Sequence, residues 1–166
     1  IPATDTILSW EWNFDDGSPL NTNQSLTHLY TATGSYSVQL VVVSNFGCKD
    51  SITKTSIVHP NPVVNFTTEK KVGCEPLCVS FTDSSFIASG ANVQWQWSFG
   101  DGSPTSNLQG ILHCYSNDSL FSLINHTITL TVSSDSGCVT TKSENNYITV
   151  YPNPVANFSV QPSITS

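Results

Sequence analysis

The chain has no methionine, only five lysines and arginines together, and no apolar run longer than Leu40–Val43. Each absence excludes something. With so few cations and a formal charge of −7, no basic surface exists to meet a nucleic-acid backbone or an anionic membrane. A four-residue apolar run is strand-sized, far short of the roughly 20 residues of a membrane-spanning helix. Without Met at position 1 or a signal-peptide pattern, the chain is expected to be a window of a longer precursor. Charged residues make up only 10%, yet aromatics also reach 10%, ample material for a core and too much for disorder. Glycine-rich phosphate loops, Gly-x-Ser-x-Gly and His-Glu-x-x-His are all missing, and the adjacent Asp15 and Asp16 are the one carboxylate pair. Catalysis has no constellation to work with, so no enzyme is expected.

What is present is a repeat. Trp10-Glu11-Trp12-Asn13-Phe14-Asp15-Asp16-Gly17-Ser18-Pro19 returns 85 residues later as Trp95-Gln96-Trp97-Ser98-Phe99-Gly100-Asp101-Gly102-Ser103-Pro104. His28-Leu29-Tyr30 returns as His113-Cys114-Tyr115 at the same spacing. Gly47-Cys48 returns as Gly137-Cys138, now 90 apart, which places a five-residue insertion around Asn117–Leu123. Pro60-Asn61-Pro62-Val63 and Phe66 return as Pro152-Asn153-Pro154-Val155 and Phe158. Proline fixes φ and pushes the preceding residue toward extended geometry, so each Pro-Asn-Pro reads as a short, stiff joint. The expected organisation is a partial module over 1–59 lacking its first strands, a complete module over 60–152, and the start of a third over 153–166.

The hydrophobic period is two. Val93, Trp95, Trp97 and Phe99 alternate with Gln94, Gln96 and Ser98, and Ile128, Leu130 and Val132 alternate with threonines. Leu8, Trp10, Trp12 and Phe14 do the same in the first copy, with Val38, Leu40 and Val42 matching the second stripe. Asp-Gly and Asn/Ser/Gly clusters punctuate these runs, and no helical pattern with caps occurs. Roughly seven strands in about 90 residues, apolar on one face, make the expected fold all-β, an antiparallel β-sandwich. Trp97 and Phe99 are expected to point into its core.

Trp-x-Phe-x-Asp-Gly (Trp12–Gly17, Trp97–Gly102), then His-x-Tyr, then an alternating strand ending at Gly-Cys, resembles the PKD (polycystic kidney disease) repeat. The opening Pro62–Phe66 and Gly73–Asp83 is similar in style to giant surface proteins of gliding Bacteroidetes. The resemblance implies tandem immunoglobulin-like sandwiches, an extracellular, cell-surface setting, and service as a spacer or adhesion module. Asp15 departs from it, standing where the second copy has the usual Gly100; a left-handed backbone there would cost Asp15 something.

Five cysteines in a Thr/Ser-rich β chain suggest an oxidising compartment. Cys78 and Cys114 face away from the core stripes of their strands, and Cys74 and Cys138 belong to the same module. The expected bridges are Cys74–Cys138 and Cys78–Cys114, with the partner of Cys48 outside the chain. His28 and His113 are expected to be structural hydrogen-bonding or packing residues. No cofactor is expected beyond calcium, which the resemblance introduces: Asp15, Asp16 and Asp101 are the candidate ligands, against a plainer role capping turns. Asp5-Thr6-Ile7, Asp50-Ser51-Ile52 and Asp118-Ser119-Leu120 match the O-glycosylation pattern of exported Bacteroidetes proteins, making Thr6, Ser51 and Ser119 candidates. In a eukaryotic source the Asn-x-Ser/Thr sites at Asn23, Asn65, Asn117, Asn125 and Asn157 would matter instead.

The reading is a non-catalytic spacer or stalk segment of a large surface adhesin or filament, with neighbouring PKD modules as its partners and a surface polysaccharide or protein as a further one. The alternative is a carbohydrate- or protein-binding accessory module of a secreted hydrolase, for which Phe121 and Tyr151 are the exposed aromatics left over.

Overall fold

Period-two patterning with β-branched and aromatic residues produces strands and nothing helical among the residues described, 5–159, in the computed structural model. The last residues of the expected third module, 160–166, lie outside the described residues. The chain parts into two units between Pro60 and Asn61.

Unit one contains β1 (Ile7–Asn13), β2 (Gly34–Ser44) and β3 (Lys49–Val58), one antiparallel sheet in that order. Unit two contains β4 (Phe66–Thr68), β5 (Val72–Cys74), β6 (Leu77–Asp83), β7 (Asn92–Ser98), β8 (Gly110–Tyr115), β9 (Ile124–Ser134) and β10 (Val139–Tyr151). Its sheets run β5-β10-β9-β7 and β4-β6-β8. Every pair is antiparallel except β5 with β10, whose parallel pairing sets Cys74 beside Tyr151.

The two sheets of unit two close on each other. Phe66, Val79 and Phe81 from one meet Trp97, Leu130 and Val150 from the other, all buried. Trp97 is 0% exposed; Phe66 meets it edge-on (5.4 Å) and Phe81 tilted (5.7 Å). Unit one has the equivalents of β7, β9 and β10 but, among the described residues, no second sheet. Its apolar face therefore stays open: Trp12, Val38, Leu40 and Ile52 line a shallow groove of about 200 Å³, and Phe14 is its one buried hydrophobic residue among those described. His28–Tyr30, equivalent to β8, is not a strand, because β8 needs β6 beside it.

The two hairpin tips coincide in detail. Gly137 N–H donates to Ser134 O (3.0 Å) and Ser134 N–H to Cys138 O (2.9 Å); Gly47, Ser44 and Cys48 repeat both bonds at 3.0 and 2.9 Å. Both glycines have φ near +79° (+79 and +78), which suits glycine best.

These tips correct one expected bridge. Cys138 sits at the β9–β10 tip, whereas Cys74 lies beside Tyr151 at the far end of β10. A strand of 13 residues separates them by about 40 Å at 3.3 Å per residue, and a disulfide needs Cα atoms within about 7 Å. Cys74, Cys138 and Cys48 are free. Cys78 and Cys114 lie directly opposite each other on β6 and β8 and are joined.

Gly100 and Asp15 occupy equivalent positions with φ of +73° and +60°. A Cβ on Gly100 would strike the Thr127 carbonyl oxygen and crowd its nitrogen. At Asp15 the side chain is used instead, its carboxylate accepting Ser37 N–H (2.9 Å); Ser37 is the counterpart of Thr127. Gly100→Ala is therefore expected to destabilise unit two by about 2–4 kcal/mol, combining left-handed strain with overpacking. Asp15→Gly, which exchanges a hydrogen bond for relief of strain, should move unit one by less than about 1 kcal/mol. Urea titration of each variant measures both.

Candidate functional site

The repeated motif builds the same cluster twice. In unit two the chain leaves β7 through Phe99 and turns at Asp101-Gly102. Asp101 Oδ1 accepts Ser103 N–H (3.0 Å) and Ser103 Oγ–H (2.6 Å). Its Oδ2 accepts His113 Nε2–H (2.7 Å). The imidazole lies flat on Phe99, ring centres 3.9 Å apart, and meets Tyr115 edge-on at 4.7 Å. Tyr115 O–H donates back to Phe99 O (3.4 Å). In unit one Asp16 holds Ser18 at 3.1 and 2.6 Å and His28 at 2.7 Å; His28 stacks on Phe14 at 3.8 Å, and Tyr30 reaches Phe14 O at 3.3 Å. The tryptophans agree as well: Trp97 Nε1–H donates to Leu108 O (2.9 Å) and Trp12 Nε1–H to Asn23 O (3.0 Å). Unit one assembles this clamp without a second sheet, so its geometry is encoded locally.

Serine, aspartate and histidine here stand in an order that cannot activate a nucleophile. The aspartate is central, and the serine hydroxyl donates to it and not to the imidazole, so no base faces the hydroxyl. What the arrangement does is fasten the turn after β7 to the His-x-Tyr segment.

Its electrostatics follow. Hydrogen bonds from Ser18 and then His28 lower the Asp16 carboxyl to about 2. For Asp101, burial pushes upward, but the bonds from Ser103 and His113 outweigh it and bring the carboxyl to about 2. Burial, and then the Asp101 charge, raises the Tyr115 phenol well above its usual range. A carboxyl depressed on folding stabilises the fold above its unfolded pKa and loses that contribution as pH falls through the folded one. Stability is thus expected to hold down to about pH 4 and to drop between about pH 4 and 2. Asp101→Asn should flatten that slope for unit two; melting temperatures over this range check it.

The calcium candidates are each committed to other partners. Asp15 and Asp16 belong to unit one and Asp101 to unit two. The carboxylates of Asp16 and Asp101 are engaged at both oxygens, and Asp15 is turned to Ser37. No group of three or more potential ligands occurs among the described residues. Of the glycosylation candidates, Thr6 and Ser51 are exposed. Ser119 is half-buried, its Oγ accepting N–H from Ser122 (3.0 Å) and Phe121 (3.4 Å). Asn117 is 1% exposed, its amide used internally, which removes it as an N-linked acceptor.

The sequence marked Asn117 as the start of an insertion and an N-linked acceptor but gave no sign of its anchoring role. Its Nδ2 donates to Val150 O (2.8 Å) and Ser122 O (2.9 Å), and its N–H to Glu75 Oε2 (2.7 Å). Asn153 Nδ2 in turn donates to Glu75 O (3.0 Å), pinning the second Pro-Asn-Pro to the end of unit two. The repeated Pro-Asn-Pro flagged this joint but not its anchor. His126, buried with Nε2 unpartnered and Nδ1 3.3 Å from Gly100 O, also carried no pattern.

A family model described as PKD domain matches twice, over residues 2–60 and 59–150. Among solved structures, the chain is similar to the PKD1 domain of Vibrio anguillarum Epp, at 26% identity over 57% of this chain and 100% of that one, with a TM-score of 0.45. It is similar also to the PKD1 domain from the Vibrio cholerae metalloprotease PrtV, at 28% identity over 54% and 96%, TM-score 0.43. The fibronectin(III)-like modules of Clostridium thermocellum CbhA align over 98% and 87% at 15% identity, TM-score 0.39. With the clamp repeated atom for atom and an immunoglobulin-like sandwich in unit two, the chain belongs to the PKD domain family, whose modules are non-catalytic.

Proposed function

We propose that this chain is a spacer segment of a large extracellular protein, projecting a functional end away from the cell surface. The observation that carries this reading is the Asn153–Glu75–Asn117 chain of hydrogen bonds. A linker needed for free swivelling has no use for such an anchor, whereas a stalk that must hold its direction does. Proline on both sides of Asn153 stiffens the same joint, and the disulfide suits an oxidising exterior. Chain 154–159 repeats the opening of unit two and begins the next bead. Neighbouring modules are the immediate partners, and quasi-independent beads of this kind add length one core at a time. Deleting residues 60–151 from the full-length protein should shorten its projecting fibre by one module, about 40 Å by strand length, with surface exposure retained; electron microscopy of labelled cells reads both. A fibre of unchanged length would refute the spacer role.

A second reading, a glycan-binding accessory module, is favoured by one feature. On unit two, Gln94, Gln96, Asn107, Thr131 and Ser133 line an uncharged groove of about 440 Å³ beside Trp95. Neutral amides and hydroxyls next to an aromatic ring suit a neutral saccharide. Glycan-array binding that Gln96→Ala abolishes would establish it.

A further inference from the structure

Unit two carries an apolar knob that unit one lacks. The insertion around Asn117–Leu123 presents Leu120, Phe121 and Leu123 to solvent, Phe121 at 92% exposure. The loop is built, not loose. Asn117 ties its two ends to each other and to β10 through Ser122 O and Val150 O. Ser119 N–H donates to Asn117 Oδ1 (3.0 Å), and Ser119 Oγ accepts Ser122 N–H. Leu120, Phe121 and Leu123 together form a contiguous exposed apolar patch on a scaffolded tip, the kind of surface that marks a contact site.

Its location identifies the occupant. Asn117 bonds Glu75, and Glu75 holds Asn153, so the knob stands at the end of unit two where the chain departs. From Tyr151 the next module opens after Pro152-Asn153-Pro154, a span of at most about 10 Å. Whatever follows must begin beside the knob. The opposite end shows what face such a module presents. There Val63 and Phe86, paired by backbone hydrogen bonds of 2.8 and 3.1 Å, are both exposed. They lie beyond Asp83, at the other end of β6 from Glu75. Val155 repeats Val63 and is exposed. We propose that the Leu120–Leu123 knob docks onto the N-terminal apolar end of the following PKD module, making the joint a packed head-to-tail interface and not a bare tether. Such a contact between repeats is heterologous, and it forms only where the preceding module carries the knob. This inference rests on the spacer reading only in supposing that another module follows.

Unit two closes its own core, so a tandem of residues 60–151 joined to a second 60–152 can be made; it reproduces the Pro-Asn-Pro joint. In ¹⁵N relaxation the tandem is expected to tumble as one body, with a correlation time about twofold that of a single module. Phe121→Ser with Leu120→Ser should lower that correlation time measurably toward the single-module value, although the Pro-Asn-Pro joint keeps part of the coupling. Because Phe121 contributes little to its own module when 92% exposed, the melting temperature of single 60–152 should not change. A wild-type tandem whose halves tumble independently overturns the proposal, as does a double variant whose correlation time stays at the wild-type value. Either result leaves the fibre-length test of the spacer reading untouched.

Discussion

Replacing Trp97 with alanine is expected to cost unit two about 4 kcal/mol or more, most of the stability of an ordinary small domain. The side chain is wholly buried between the sheets, against Phe66 and Phe81. Its loss leaves a cavity the rigid sheets cannot collapse and also removes the indole N–H bond to the Leu108 carbonyl. The equivalent Trp12→Ala should cost unit one far less, about 1–2 kcal/mol. Trp12 has the same indole bond to Asn23 but faces an open groove, so part of its surface is never removed from water. Urea denaturation of both variants, followed by circular dichroism, tests the contrast. Equal losses would mean that unit one is covered in solution.

The disulfide should matter almost as much. Cys78 and Cys114 enclose a separation of 36 residues, for which loop-closure entropy gives about 4 kcal/mol of stabilisation. Replacing both with serine is expected to lower the denaturation midpoint of unit two sharply. Unit one should not respond to reduction, since Leu29 stands where unit two has Cys114. Serine at the exposed Cys48 or Cys74 should shift stability by less than about 0.5 kcal/mol, as surface changes do. Non-reducing peptide mapping should yield one linked pair, Cys78 with Cys114; a Cys74–Cys138 peptide from monomeric protein would contradict the strand arrangement.

The cysteines show where reading the sequence stops. Alternation places Cys78 and Cys114 on the outer side of their strands, and that much is local. Which cysteine faces which depends on where each strand ends. The 13-residue length of β10, which holds Cys74 and Cys138 apart, is not visible in a period-two pattern. Asp15 is the reverse case. Its substitution for the glycine of the second copy pointed to a left-handed backbone at some cost, and φ of +60° with the Ser37 bond shows how that cost is offset. The joint was half legible: Pro-Asn-Pro repeats openly, but its anchor Glu75 lies 78 residues from Asn153, and no local rule connects them. The knob was visible as a length difference between copies, and Phe121 as an aromatic with no core position; neither said that a buried asparagine scaffolds it.

By itself, then, the sequence determined the strands, the repeat and the clamp. The clamp closes between residues 12 and 16 apart, near enough that turn chemistry, a carboxylate and ring stacking suffice, and unit one forms it on a lone sheet. Tertiary structure alone decided which apolar stripe is covered, that Cys74 and Cys138 stay apart, and how the joint is held. Those outcomes require a second sheet delivered from distant residues, and only closure of that sheet removes Trp97 from water while the matching Trp12 remains half wet.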